Sequence, residues 1–164
     1  MANRVTEKLE TARQVAANVP DPELPYVTLT DLGILRSVEL HDDTVVAKVS
    51  PTYSGCPALD VIEQSVLEAL QEAGFKARVE RVMSPPWTTD WITDEGKKKL
   101  TAAGIAPPQK NSASKTVLFA NPVINCPNCS SDNTAKVSEF GSTPCKAQYQ
   151  CKSCSEPFEY FKCH

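Results

Sequence analysis

The chain of 164 residues is long enough for one medium domain or two small ones, and its composition, 41% hydrophobic and 23% charged, is that of a globular protein. Its net charge is −3. Residues 1–110 carry 12 basic and 16 acidic side chains, and residues 111–164 carry 5 and 4. Neither part concentrates the basic charge that contacts with nucleic-acid phosphates require, so the composition disfavours nucleic-acid binding.

Nothing in the sequence indicates a membrane segment or a secretory signal. No apolar run approaches the roughly 20 residues of a membrane span, and Glu7, Lys8 and Glu10 interrupt the N-terminal region. We therefore expect a cytoplasmic protein with no membrane association. Because the cytoplasm keeps thiols reduced, the seven cysteines indicate metal ligands or reactive thiols rather than disulfides.

Periodic patterns over residues 1–105 predict a series of helices and strands. Apolar residues at helical spacing alternate with shorter runs rich in β-branched residues, and proline or glycine separates them. In order, the predicted elements are a helix over 4–18, strands over 34–40 and 44–49, a helix from 57 to Gly74, a strand over 76–83, and a helix over 94–103 capped by Thr93 or Asp94. The order α-β-β-α-β-α predicts an α+β fold, with a small mixed α/β sandwich over residues 1–105.

Residues 106–116 have the composition of a linker, and the pattern changes beyond them. Short strand-forming segments there lie between two Cys-x-x-Cys pairs, Cys126/Cys129 and Cys151/Cys154. Each pair can direct two sulfurs at one cation, and two pairs complete a tetrahedron of thiolates. The spacing predicts a zinc ribbon over residues 117–164, in which the metal supplies much of the folding free energy.

Iron bound by the same four sulfurs, as in a rubredoxin, is the alternative to zinc at this site. Two further cysteines, Cys145 and Cys163, lie inside and just after the ribbon. One interpretation is that one of them is buried and the other is a terminal thiol. The other interpretation is that one of them replaces a ligand or forms a second, labile metal site with His164.

Cys56 lies between a predicted strand and a predicted helix, in the run Gly55-Cys56-Pro57. Proline favours the first helical position, which makes Cys56 the expected N-cap. At a helix N-terminus the free backbone N–H groups and the helix dipole stabilise a thiolate, so we expect an accessible thiol with a lowered pKa. The alternative is a small side chain that fills space beneath the helix.

Three motifs in the first part of the chain resemble a known family when they are taken in order. They are Asp21-Pro22-Glu23-Leu24-Pro25, Thr30-Asp31-Leu32-Gly33-Ile34 and Pro51-Thr52-Tyr53-Ser54-Gly55-Cys56-Pro57. The set resembles the iron–sulfur assembly factors, a family that includes SufT and the cytosolic iron–sulfur targeting proteins. The resemblance covers residues 10–85, and it implies that Asp21, Glu23 and Cys56 are the characteristic polar set.

Three further runs in the rest of the chain indicate a narrower group of proteins within this resemblance. The runs Pro86-Trp87-Thr88-Thr89-Asp90-Trp91, Glu139-Phe140-Gly141-Ser142-Thr143-Pro144-Cys145-Lys146-Ala147 and Pro157-Phe158-Glu159-Tyr160-Phe161-Lys162-Cys163 resemble the accessory proteins encoded with the bacterial phenylacetyl-CoA epoxidase. This implies an accessory protein of aerobic phenylacetate breakdown, not a stand-alone enzyme. It would help to mature the iron or iron–sulfur centres of the oxygenase, with the oxygenase and reductase components as partners. The resemblance leaves open whether the protein binds iron or an iron–sulfur cluster transiently and whether it forms a homodimer.

Other functions fit the residues less well. A di-iron oxygenase component needs Glu-x-x-His pairs, but the only histidines are His41 and His164, and neither has Glu three positions before it. A thiol enzyme would need a partner that activates Cys56, and no histidine is placed by sequence to do so. A structural or regulatory subunit of the oxygenase remains an alternative.

Aromatic residues leave two interpretations open in each part of the chain. In the ribbon, four of them could stack on nucleic-acid bases or could pack the ribbon core: Tyr149, Phe158, Tyr160 and Phe161. Trp87 and Trp91 could form an exposed patch for a partner. We expect them to belong to the core instead.

Overall fold

The structure, a computed structural model, describes residues 2–108 and 123–162. Contacts divide the chain after Trp87 into two compact units. The first unit contains helix α1 (Ala2–Ala17), strands β1 (Leu35–His41) and β2 (Thr44–Val49), helix α2 (Leu59–Glu72) and strand β3 (Lys76–Arg81). The second contains a 3₁₀ turn (Thr89–Trp91), helix α3 (Asp94–Ala102) and strands β4 (Ile105–Ala106), β5 (Thr134–Ser138), β6 (Lys146–Cys151) and β7 (Pro157–Phe161).

The predicted α+β class and the order α-β-β-α-β-α are confirmed. Strands β1 and β2 form an antiparallel hairpin, in which His41 pairs with Thr44 across a two-residue turn. Asp42 has a φ of 54° in that turn, a left-handed conformation that aspartate tolerates better than most residues. Strand β3 runs parallel to β2, a pairing that requires a crossover connection, and α2 provides it.

The core of the first unit lies where the two helices meet the three-stranded sheet. α1 contacts β1 and β2, α2 contacts β3, and the helices contact each other. On α2, buried Ile62, Val66 and Leu70 recur at helical spacing, as the sequence predicted. Strand β2 is central in the sheet, and its Val45–Ala47 run is fully covered, which explains its continuous apolar sequence.

The second unit is built on a four-stranded sheet in the order β4-β7-β6-β5. Strands β5, β6 and β7 form an antiparallel meander, and the two-residue strand β4 adds parallel to β7 through Ile105 and Ala106. Thr93 is the N-cap of α3, as predicted, and its hydroxyl accepts a hydrogen bond from the Gly96 N–H at 2.9 Å. After α3, Gly104 turns the chain with a φ of 79°.

Contacts group residues 88–106 with the second unit, whereas the sequence pattern assigns residues up to 105 to the first domain. The difference arises because β4 pairs with β7 over a long sequence separation, and local patterns do not report such a pairing. Of the predicted linker over 106–116, Ala106 lies in β4, and residues 109–116 are outside the described residues. A first domain over 1–105 and a ribbon over 117–164 stay a prediction for how the chain folds.

None of the helices in the described ranges combines the length and the apolar character that crossing a bilayer requires.

Thr93→Ala tests to which unit α3 belongs thermodynamically. Removing the capping oxygen should lower helix stability by about 1 kcal/mol, and Thr93→Ser, which keeps that oxygen, should stay near wild type. If α3 belongs to the second unit, hydrogen exchange in Thr93→Ala should accelerate at amides of β6 and β7 and remain unchanged in β2. Loss of protection in β2 alone would instead support the boundary at residue 105.

Candidate metal centre and cysteine loop

The four ribbon cysteines converge on one point. The Sγ atoms of Cys126, Cys129, Cys151 and Cys154 all lie within 4.8 Å of one another. Cys126 and Cys154 are 3.8 Å apart at sulfur, and Cys129 and Cys151 are 3.6 Å apart. A tetrahedral site with Zn–S bonds of about 2.3 Å has sulfur–sulfur edges of about 3.8 Å. The donor set therefore fits one tetrahedral thiophilic cation, and within the described residues no other group of three or more Cys, His, Asp or Glu converges in this way.

The two Cys-x-x-Cys turns share one backbone design. The Cys126 N–H donates to the Ser131 carbonyl, and the Cys151 N–H donates to the Glu156 carbonyl, both at 2.9 Å and both five residues ahead. Ser130 and Ser155 follow the second cysteine of each turn with φ values of 62° and 64°. Glycine is the residue that suits this left-handed conformation best. Serine therefore occupies it at some energetic cost, and the turn geometry is retained.

The pKa values of two thiols of the quartet, Cys151 and Cys129, are shifted in opposite directions because their surroundings differ. Hydrogen bonds from the backbone N–H groups of Cys154 and then Ser153 lower the pKa of Cys151 to about 6, although burial opposes them. The Ser131 N–H favours the Cys129 thiolate, but the neighbouring Cys154 sulfur, burial and the other two sulfurs raise the pKa of Cys129 to about 12. Holding Cys129 as a thiolate at neutral pH therefore requires a bound cation.

The ribbon aromatics pack its small core. Tyr149 stacks on Phe158 with ring centroids 5.9 Å apart and meets the edge of Tyr160 at 5.7 Å. These three side chains and Phe161 are buried. Cys126 and Cys151 belong to the same apolar cluster, so the metal-binding turns and the core are continuous. The aromatic side chains that could have stacked on nucleic-acid bases are thus buried within the ribbon.

Cys145, a further cysteine of the ribbon, lies apart from the quartet. Cys145 is buried, and its sulfur is 3.1 Å from the Thr143 hydroxyl. Its burial agrees with the interpretation in which one extra cysteine is a core residue. Cys163 and His164 lie outside the described residues, so the second metal site proposed with His164 stays a prediction.

Cys56 does not cap α2, so that prediction is wrong. The helix begins at Leu59, and its N-cap is Ala58, which makes no side-chain capping hydrogen bond. A turn precedes the helix: the Cys56 N–H donates to the Tyr53 carbonyl at 3.2 Å, and the Leu59 N–H donates to the Cys56 carbonyl at 3.4 Å. Pro57 lies in this turn instead of the first helical position. The thiol is half-buried in the loop, and the helix-dipole argument for its reactivity no longer applies.

Asp21 shapes the proline-rich loop. Its side chain is buried, and Oδ1 accepts hydrogen bonds from the backbone N–H groups of Glu23 and Leu24, both at 2.9 Å. This is an Asx turn, in which the carboxylate replaces a backbone acceptor. Glu23 is half-buried. Asp21, Glu23 and Cys56 do not form a group whose ligand atoms lie within 4.8 Å of one another.

The second and third motifs meet at one end of the first unit's sheet. The Ile34 carbonyl accepts a hydrogen bond from the Ser50 N–H at 2.8 Å, directly beyond the Leu35–Val49 pair. Two hydroxyls of these loops, Thr30 Oγ1 and Ser50 Oγ, are buried and find no hydrogen-bond partner among the described residues. Sequence patterns do not single them out, because an isolated threonine or serine gives no signal until the fold buries it.

Asp31 was also missed as a loop-forming residue. Its Oδ2 accepts from the Thr28 N–H at 2.9 Å, and the Thr28 hydroxyl accepts from the Asp31 N–H at 3.1 Å. The Thr28-x-x-Asp31 spacing was a usable signal, since reciprocal pairs of this kind recur where a chain turns.

Comparison with known proteins follows the same division of the chain. A family described as iron–sulfur cluster assembly protein matches residues 10–82, and the PaaD zinc beta ribbon domain matches residues 110–162. A protein of Escherichia coli (strain K12), named as a subunit of 1,2-phenylacetyl-CoA epoxidase, is 44% identical over 148 residues, which are 90% of this chain and 88% of that protein. The chain belongs to the PaaD family.

Membership of the PaaD family confirms the resemblance that the motifs predicted. The first matched range contains all three loop motifs, including Cys56, and the second contains the four ribbon cysteines. Among solved structures, the domain of unknown function DUF59 from Bacillus anthracis aligns with a TM-score of 0.55 and 24% identity, over 61% of this chain and 97% of that one. That similarity supports the fold of the PaaD first unit.

Ser130 and Ser155, whose backbones adopt the left-handed conformation, provide a test of the turn geometry. Ser130→Gly and Ser155→Gly should each remove a backbone penalty of about 1 kcal/mol, and Ser130→Val should increase the penalty because a β-branched residue tolerates positive φ poorly. The rate at which a colorimetric chelator extracts metal from the folded protein should fall for the glycine variants and rise for the valine variant. Equal rates for all three would show that these φ values do not limit the site.

Proposed function

We propose that this protein is an accessory maturation factor for the iron or iron–sulfur centres of a multicomponent phenylacetyl-CoA epoxidase. The observation that carries the proposal is the union in one chain of an iron–sulfur assembly domain with a PaaD ribbon. The name of the Escherichia coli relative supplies the client system. The protein acts on the metal centres of the oxygenase or reductase components and does not itself oxidise the aromatic substrate.

The ribbon holds zinc in this proposal. Cys126, Cys129, Cys151 and Cys154 supply four sulfurs at tetrahedral spacing, and zinc bound by four cysteines is a closed structural site without an open coordination position. Iron would fit the same geometry. The bound cation would neutralise the four thiolates, and the protein residues would fix the two turns on which the ribbon core packs.

Cys56 is the working thiol in this proposal, and the iron that it would contact is cargo. Sulfur is a soft donor for iron and iron–sulfur species. A half-buried thiol in a turn is accessible, and within the described residues it does not belong to a group of three or more convergent ligand atoms. A single thiolate cannot hold a metal tightly, which suits transfer better than storage. Asp21 maintains the shape of the proline-rich loop, and Glu23 is the carboxylate of that loop that lies half-exposed.

A structural or regulatory subunit of the epoxidase complex is the second candidate. It is favoured by the Escherichia coli relative, which is named as a subunit of the enzyme. The two candidates differ in one measurable respect: a maturation factor changes the metal content of its client, whereas a structural subunit changes the assembly or activity of a client that is already loaded.

Replacing a ribbon ligand should release the metal and unfold the ribbon. We expect Cys126→Ser and Cys154→Ser to lose about one metal per chain by elemental analysis, since removal of one ligand leaves an incomplete tetrahedron. Near-ultraviolet circular dichroism should lose the signal of the packed tyrosines. Cys145→Ser is the matched control and should keep its metal, because that sulfur lies outside the quartet. Wild-type protein that purifies without metal would contradict the assignment.

Cys56→Ser should leave the protein folded and lower the metal content of the client. The test co-expresses the epoxidase components with wild type, Cys56→Ser or Cys145→Ser, and measures iron per client and turnover. Glu23→Gln asks whether the loop carboxylate contributes, and Asp21→Asn removes the charge while keeping an oxygen acceptor for the loop. Full iron loading without this protein would reject the maturation function. Full loading with low turnover would favour the subunit alternative.

A further inference from the structure

A groove of about 400 Å³ opens between the C-terminal ends of α1 and α2 in the first unit. Its apolar wall contains Val15 and Val19 from the end of α1 and Pro22 from the proline-rich loop. Its other wall is the last two turns of α2, with Glu68, Ala69 and Glu72. We refer to these six residues as the α1–α2 groove.

The charge in this groove is negative and is not balanced within the described part of the chain. Glu68 and Glu72 are four residues apart on one helix face, a like-charged spacing that destabilises a helix. Within residues 2–108 and 123–162, neither carboxylate forms a salt bridge, and the acceptor Glu68 Oε1 takes only a neutral amide hydrogen bond from Gln64, at 2.7 Å.

The ends of both helices add to the same negative field. The carbonyl end of a helix carries partial negative charge, and lysine or arginine in the last turn normally compensates it. The last turns of α1 and α2 contain no basic residue. Two glutamates therefore lie beside two helix C-termini, an arrangement that costs local stability and that a cation from another molecule would relieve.

We propose that the α1–α2 groove docks a segment of a partner protein that carries lysine or arginine beside apolar side chains. Val15 and Pro22, which lie beside buried Val19, would cover the apolar side chains, and Glu68 and Glu72 would pair with the basic groups. Such a segment matches both halves of the groove, whereas a free cation would leave the apolar wall uncovered. The two glutamates alone also do not form a convergent group of three ligands.

The identity of the partner rests on the proposed function, in which a component of the epoxidase supplies the segment. The groove itself does not depend on that assignment. A second copy of this chain is the competing occupant, since Lys97, Lys98 and Lys99 form a basic run on α3. Amide resonances of the groove residues that shift with protein concentration in the absence of any peptide would reveal self-association, and this would overturn the proposal of a different partner.

The experiment uses isotope-labelled, metal-loaded full-length protein and two capped helical probe peptides. One peptide presents arginine and leucine on one face, and the other has glutamate in place of arginine. The arginine peptide should shift the amide resonances of Asn18, Ser65 and Ala69 in a saturable way, and the effect should weaken as salt is added. The glutamate peptide should not shift them. Absence of localised shifts with the arginine peptide would overturn the proposal.

Charge reversal provides the matched variants. Glu68→Lys/Glu72→Lys should weaken arginine-peptide binding by about tenfold or more, because two charge-assisted contacts become repulsive. Glu7→Lys/Glu10→Lys makes the same change in net charge at two exposed carboxylates outside the groove, and it should bind as wild type does. Glu68→Gln/Glu72→Gln removes the charge and the like-charge repulsion, so it should remain folded and also bind less. Equal affinity for all variants would overturn the proposal.

Iron loading of the co-expressed client separates this inference from the proposed function. If Cys56→Ser abolishes loading while the groove variants bind the arginine peptide normally, the docking inference fails and the function stands. If the groove variants lose peptide binding but Cys56→Ser has no effect on loading, the docking site stands and the function fails.

Discussion

Four sulfur atoms within 4.8 Å of one another define the constraint on which the second unit depends. Without a cation, thiolates at this spacing repel one another, and the neighbouring sulfurs accordingly contribute to the raised pKa of Cys129. With a cation, the same spacing closes a tetrahedron. Because Cys126 and Cys151 are also members of the small apolar core, ligation and packing stabilise the same residues. A ribbon with so few buried side chains obtains from metal binding the folding free energy that a larger core would otherwise provide.

The first unit is organised differently, since its stability comes from apolar packing around a central strand. Val45 and Val46 of β2 are fully covered, and α2 contributes buried Ile62, Val66 and Leu70. Its loops can therefore carry polar groups that do not contribute to the core. Cys56, in one of these loops, belongs to the unit that does not contain the four convergent cysteines. In the proposed function, the thiol that handles metal as cargo is therefore separated in sequence from the four cysteines that would hold metal as structure.

The sequence predicted those features whose cause is local. Helical spacing located α1 and α2, alternation and a polar turn located the β1–β2 hairpin, and the repeated Cys-x-x-Cys spacing located the ribbon ligands. Strand β4 was missed because two residues carry no periodicity and its partner β7 is distant in the chain. The N-cap at Cys56 was wrong because the preference of proline for the first helical position is weak, and a turn from Tyr53 to Leu59 overrides it. The role of Asp21 as a loop acceptor required the fold, since a carboxylate in a motif fits the role of a ligand equally well, whereas the Thr28-x-x-Asp31 spacing could have indicated the role of Asp31.

Those loop acceptors also explain how the motifs can act together. The Asx turn of Asp21 fixes the segment that contributes Pro22 to the α1–α2 groove, and Pro20 pairs with Thr28 in a β-bridge. Thr28 and Asp31 are joined by two reciprocal hydrogen bonds. The chain then continues to Ile34, whose carbonyl accepts a hydrogen bond from the Ser50 N–H at the start of the cysteine loop. Apart from the covalent step from Asp31 to Ile34, these links are made by hydrogen bonds of 2.8 to 3.1 Å, so a partner in the proposed groove would contact a segment that is linked to the loop of Cys56. If the α1–α2 groove docks a partner as proposed, the proline-rich motif would connect the docking surface to the thiol loop through these contacts.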